Sequence, residues 1–89
     1  MKTVSLTVTG RVQGVYYRAS ARQQALRLNI KGFAKNQSDG SVRIVAQGDD
    51  AALEALVNWC WQGSDRAQVS AVLVEELMAA DVYDDFGVA

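Results

Sequence analysis

Histidine is absent from the 89 residues. Its absence removes the usual imidazole general base, a phosphohistidine intermediate and most transition-metal sites. Cys60 is the single cysteine, which excludes an internal disulfide and every zinc site built from paired thiolates. Positive charge is scarce as well: nine Lys and Arg against ten Asp and Glu leave a net charge of −1, so no broad field exists to neutralise a nucleic-acid backbone or to hold the chain on an anionic membrane. The long apolar run of a signal peptide or membrane span is missing from the start, MKTVSLTVTG, where apolar and hydroxyl residues alternate. A cytoplasmic chain without nucleic-acid or membrane partners is expected. Its chemistry must run on Arg, Asn, carboxylates, hydroxyls or backbone amides.

Hydrophobic residues make up 49% and charged residues 21%, the balance of an ordinary globular protein. The length suits one domain with one core, taken here as residues 1–89. Val4, Leu6 and Val8 alternate with Ser5, Thr7 and Thr9, predicting a half-buried strand from Lys2 to Thr9. Tyr17, Ala21, Ala25 and Leu28 then share one face of a helix starting near Arg18. Ile30 to Lys35 and Ser41 to Gln47 read as a hairpin turned by Ser38-Asp39-Gly40. A second helix follows Asp49 and Asp50, which cap or charge-stabilise its start; it carries Leu53, Leu56, Val57 and Cys60 on one face and stops at Gly63. Val69 to Val74 is a fourth strand and Tyr83 to Val88 a weaker fifth. The order β-α-β-β-α-β predicts an α+β, ferredoxin-like split βαβ sandwich, a mostly antiparallel sheet with two helices on one face.

Between the first strand and the first helix stands GRVQGVYYR, Gly10 to Arg18. A strand-to-helix loop leaves the first helical amides without intrahelical acceptors and with the positive end of the helix dipole behind them. Gly10 and Gly14 permit turns that curve successive N–H groups into an anion-binding nest, and Arg18 can add a planar fork of charged donors. Glycine spacing alone favours mere turn residues. The lysine-bearing phosphate loop and the three-glycine dinucleotide fingerprint are both missing.

A second stretch, GFAKNQSDG, Gly32 to Gly40, places Asn36 near the end of the second strand, where it can approach the loop before helix one. Together the two stretches closely resemble the signatures of the acylphosphatase family, Gly-x-Val-Gln-Gly-Val-x-(Phe/Tyr)-Arg and Gly-(aromatic)-x-x-Asn-x-x-Asp-Gly, and the resemblance spans the chain. It implies hydrolysis of the carboxyl-phosphate bond of small acyl phosphates to a carboxylate and inorganic phosphate, without metal, cofactor or phosphoenzyme; a monomer is expected. Carried over, Arg18 binds phosphoryl oxygens together with the amides of Gly14, Val15, Tyr16, Tyr17 and Arg18, while Asn36 orients the attacking water. Tyr16 stands where many members carry glycine and others an aromatic residue, which implies a stiffer loop and narrower access.

Other signals compete. Cys60 to Arg66 fits Cys-x5-Arg, the loop of thiol-dependent phosphatases, but a cysteine in the last turn of a helix faces the wrong end of the dipole and reads as core. Trp59 and Trp61 read as completing a core edge. The acidic residues Glu75, Glu76, Asp81, Asp84 and Asp85 read as a solvated rim, because adjacent carboxylates in a strand point to opposite faces. The alternative function is a non-catalytic ferredoxin-like module that binds a small ligand or regulates a neighbouring domain.

Overall fold

The computed structural model describes residues 1–78 and 81–89. Its elements are β1 (Lys2–Arg11), α1 (Tyr17–Arg27), β2 (Lys31–Asn36), β3 (Val42–Gly48), α2 (Asp50–Gln62), β4 (Gln68–Leu77) and β5 (Phe86–Val88). They form one sheet in the order β4-β1-β3-β2-β5. Neighbours are antiparallel except β2 and β5, which run parallel. The α+β, ferredoxin-like arrangement expected from the sequence is therefore present, with β5 added at one edge.

The period-two pattern of β1 sets the core. Val4, Leu6 and Val8 stand opposite Ala46, Ile44 and Val42 of β3, and all six are buried. Onto this face α1 lays Tyr17, Ala21 and Ala25, and α2 lays Leu53, Leu56 and Cys60. Burying apolar area at about 25 cal/mol per Å² is what holds helices of this length, which are marginal alone. Asn29, in the left-handed region at φ 58°, ends α1. At the start of α2, Asp49 occupies the N-cap without a side-chain cap bond, and Asp50 supplies the negative charge in the first turn. Gly63 stops α2 at φ 73°.

The opposite face of the sheet carries no helix, yet Thr3, Ser5, Val45 and Gln47 are buried there. Because β4 and β5 lie at opposite edges, the chain between them has to pass across the sheet. The Gln47 side chain holds two of its residues: the amide nitrogen donates to the Asp81 carbonyl, and Oε1 accepts the Tyr83 N–H at 3.1 Å. Tyr83 also packs edge-on against Phe33, with ring centroids 5.9 Å apart.

Strand boundaries differ from the sequence reading: β2 and β3 each lie one residue further along, and the other three strands change length. The fourth strand is longer, Gln68–Leu77, because it pairs with β1 from Thr3 to Arg11. The fifth is shorter, because only Gly32 to Ala34 of β2 provide its partners. β1 continues to Arg11 through a register shift between Thr9 and Gly10. Gly10 is thus a strand residue at a bulge and not part of a nest. A Cβ on it would lie 2.2 Å from the Gln68 carbonyl oxygen and 2.7 Å from the Ser70 nitrogen, both backbone atoms that the ladder holds in place. Gly10→Ala should therefore destabilise the fold by about 2–3 kcal/mol, read as a lower urea midpoint with an unchanged m-value.

Candidate active site

The loop from Val12 to Tyr16 turns from β1 into α1 with two residues in the left-handed region, Gly14 at φ 74° and Tyr16 at φ 61°. A Cβ on Gly14 would meet nothing within 4 Å, so conformation and not space makes glycine suitable there. Left-handed residues flanking Val15 supply the alternation of backbone hand from which a nest is built. The first helical bond runs from the Ser20 N–H to the Tyr16 carbonyl at 3.0 Å. Among the described residues, no backbone acceptor pairs with the amides of Gly14 through Ala19. These are strong donors concentrated at the positive end of a helix.

Three side chains hold the loop. Gln13 Nε2 donates to the carbonyls of Gln37 and Ser41, 2.8 Å each, tying the loop to the β2–β3 turn. Ser64 Oγ donates to the Val15 carbonyl at 2.6 Å from the end of α2. Tyr17 is buried, its hydroxyl donating to the Cys60 carbonyl at 2.8 Å and its ring lying 5.2 Å from that of Trp59. The β2–β3 turn is itself fixed by Asp39, whose carboxylate accepts the Ser41 hydroxyl at 2.6 Å and the Ser41 N–H at 2.9 Å. Those bonds, the hydroxyl's first, hold its pKa below the usual carboxylate value.

Asn36 reaches the loop by register. Val42 stands opposite Val8 of β1 on one side and Asn36 of β2 on the other, so the three form one row across the sheet, with Asn36 about 10 Å from Val8. Alternation along β2 gives Asn36 the same face as buried Ala34, the face carrying α1. Its Oδ1 is buried and has no hydrogen-bond partner among the described residues. Arg18, in the first turn of α1, donates from Nη1 to the Ala89 carbonyl. With Val12, Gly14, Tyr16, Tyr17, Ala19 and Val88, Arg18 and Asn36 line a single cleft of about 370 Å³.

A larger hollow of about 510 Å³ on the opposite face is lined by Arg43, Phe33 and Tyr83 among others. Its one cation among the described residues spends Nε on Ser5 Oγ at 3.1 Å. Cys60 is fully buried, and that burial pushes its thiol up to about 11. A thiolate nucleophile is thereby removed from consideration, in agreement with the core reading. Trp59 does pack at the core edge, whereas Trp61 is half exposed and does not complete it. No group of three or more Cys, Asp or Glu able to hold a metal occurs among the described residues. Nor is any helix among them long and apolar enough to cross a membrane.

Of the residues expected from the sequence, Gly14, Tyr16, Tyr17, Arg18 and Asn36 meet in the cleft, with Val15 in the loop between them. The latching residues Gln13 and Ser64 were not singled out, since their partners lie 24, 28 and 49 positions away. The only signal for Gln13 was its place inside the first signature.

Fold and cleft define a ferredoxin-like α+β domain with an amide-lined, arginine-bearing cleft at one end of its sheet. A sequence profile of the acylphosphatase family matches residues 4–88. An acylphosphatase of Shewanella amazonensis is 44% identical over 88 residues, covering 99% of this chain and 97% of that protein. Among solved structures, an acylphosphatase from Coxiella burnetii superposes with a TM-score of 0.93 at 41% identity, covering 99% of this chain and 92% of the other. One from Bacillus subtilis does so with a TM-score of 0.96 at 31% identity, covering 100% and 99%. The chain belongs to the acylphosphatase family.

Two expectations follow for residues outside the cleft lining. Gln13→Ala unlatches the loop from the Asn36 hairpin and should lower turnover of an acyl phosphate by about tenfold, with a much smaller change in melting temperature. Cys60→Ser should retain turnover. In the wild type, folded Cys60 keeps its proton to about 11 while the unfolded thiol releases it from 9.0. The folded state therefore binds more protons across that window, and stability falls as pH rises through it. The stability advantage of wild type over Cys60→Ser should shrink over the same range in denaturation midpoints.

Proposed function

We propose that the protein is an acylphosphatase, hydrolysing the carboxyl-phosphate bond of small acyl phosphates to a carboxylate and inorganic phosphate, with residues 1–89 acting as a single domain. The observation that carries this reading is the convergence on one cleft of Arg18, a run of amides without backbone acceptors and the buried, unpartnered Oδ1 of Asn36. Two kinds of donor and one acceptor are what the reaction requires.

The phosphoryl oxygens sit against the amides of Gly14 to Arg18, with the Arg18 guanidinium sharing their charge. The bond from Nη1 to Ala89 leaves other donors of the guanidinium fork available to the substrate. Charge spread over equatorial oxygens in a loose transition state is stabilised by preorganised donors without reorganisation during the reaction. Asn36 Oδ1 accepts one hydrogen of a water and aims an oxygen lone pair at phosphorus. That oxygen bonds to phosphorus as the bond to the carboxyl oxygen breaks; the electron pair leaves with the carboxylate, and the water's proton passes to a phosphate oxygen. A carboxylate is a good leaving group, so no general acid is needed, and the want of histidine is no obstacle. Neither a metal nor a phosphoenzyme enters the scheme.

The same reading makes the enzyme a cytoplasmic monomer without nucleic-acid or membrane partners. The net charge of −1 speaks against polyanionic partners. Arg18→Ala and Asn36→Ala should each lower kcat/KM for an acyl phosphate by about 10²–10³ while the circular dichroism spectrum is retained. Wild-type turnover should persist in excess chelator. Full activity in both variants would refute the assignment of roles, and no turnover by the wild type would leave the small-ligand module as the better reading.

A further inference from the structure

Tyr16 contradicts the usual economics of a folded chain. Its backbone lies in the left-handed region, φ 61° and ψ 22°, which glycine enters freely and a bulky residue enters only under strain. Burial does not compensate, because the residue is 78% exposed. The other tyrosine of the pair, Tyr17, has the opposite circumstances: a helical backbone, a buried ring and a bonded hydroxyl. Folding stability therefore accounts for Tyr17 and not for Tyr16.

The position of the strained ring is specific. Tyr16 lines the cleft with Gly14, Arg18 and Asn36, and it also lines a second groove of about 390 Å³ that continues between α1 and α2 past Ser20, Trp59 and Gln62. Tyr16 is the lining residue common to the two. Its own main-chain N–H belongs to the run of free amides. A phosphoryl group held by those amides lies within one side chain's length of the ring, and the rest of an acyl phosphate must leave the cleft past it.

We propose that Tyr16 is the specificity-determining residue of the site, its ring packing against a flat apolar acyl group, so that aromatic acyl phosphates are favoured over small aliphatic ones. The proposal rests on the acyl phosphate reading of the cleft and adds the substrate class to it. An aromatic acyl group stacks on the ring face or meets its edge, and gains contact that an acetyl group cannot make. The left-handed backbone sets the direction in which the Tyr16 side chain starts, leaving only its two side-chain torsions to be ordered on contact.

The test compares benzoyl phosphate with acetyl phosphate on wild type, Tyr16→Asn and Tyr16→Phe. Asparagine tolerates the left-handed backbone without the looseness of glycine, so the amide cradle stays while the ring is lost. The readout is the ratio of kcat/KM for the benzoyl to the acetyl substrate, in which any common effect on the cradle cancels. The ratio should fall about five- to tenfold in Tyr16→Asn, mostly through KM for benzoyl phosphate, and stay within about twofold of wild type in Tyr16→Phe. An unchanged ratio in Tyr16→Asn, with both substrates turned over by the wild type, overturns the proposal and leaves the acylphosphatase reading standing. A ratio lost equally in Tyr16→Phe also overturns it, since the hydroxyl and not the ring face would then discriminate. Wild type inactive on both substrates overturns the two readings together.

Discussion

The site depends on β3 lying between β1 and β2. Val42 is the shared partner of Val8 and Asn36, and that single row brings an amide from the fourth sheet position to the mouth of the loop that leaves the second. Period-two alternation then decides the direction: Asn36 faces the helices as Ala34 does, because the two stand two positions apart. A slip of one residue in either pairing would turn the Asn36 side chain to the far face, away from Arg18.

Around that row, the loop is held from three directions. Gln13 grips the hairpin, Ser64 grips the Val15 carbonyl, and Tyr17 anchors the start of α1 in the core. None of these bonds is strong alone, at about 1 kcal/mol net for a typical case. Their joint effect is to hold left-handed backbone at Gly14 and Tyr16, which leaves the amides that follow facing a cleft instead of a protein acceptor. The polar groups of this end of the molecule are thus left unsatisfied by a scaffold that satisfies them elsewhere, as is common where a ligand belongs.

Much of the fold could be read along the chain. The alternation of Val4, Leu6 and Val8 and the spacing of Leu53, Leu56 and Cys60 matched the buried faces, since both signals are local. Strand ends were less legible. β4 extends past Val74 as far as β1 offers pairing, and β5 shrinks to the residues that β2 can accept, which are decisions made by a distant partner. Gly10 shows the same limit. Its sequence context suggested a turn, whereas its positive φ serves a bulge in β1 pressed against Gln68 and Ser70 of β4. Trp59 and Trp61, neighbours read alike, separated because a helix turns about 100° per residue and only Trp59 reaches Tyr17.

What the chain alone determined was an inventory and a set of periods: no imidazole, one thiol, a glycine-bearing loop ahead of a helix, and an asparagine near the end of a strand. These limit the available chemistry because side-chain types do not depend on folding. The tertiary structure decided which of those groups meet. Arg18 and Asn36 stand 18 positions apart in sequence and share a cleft only through pairings with β3 that no local pattern encodes. The left-handed backbone of Tyr16 runs against its own intrinsic preference, so it too could be fixed only by contacts from elsewhere in the molecule.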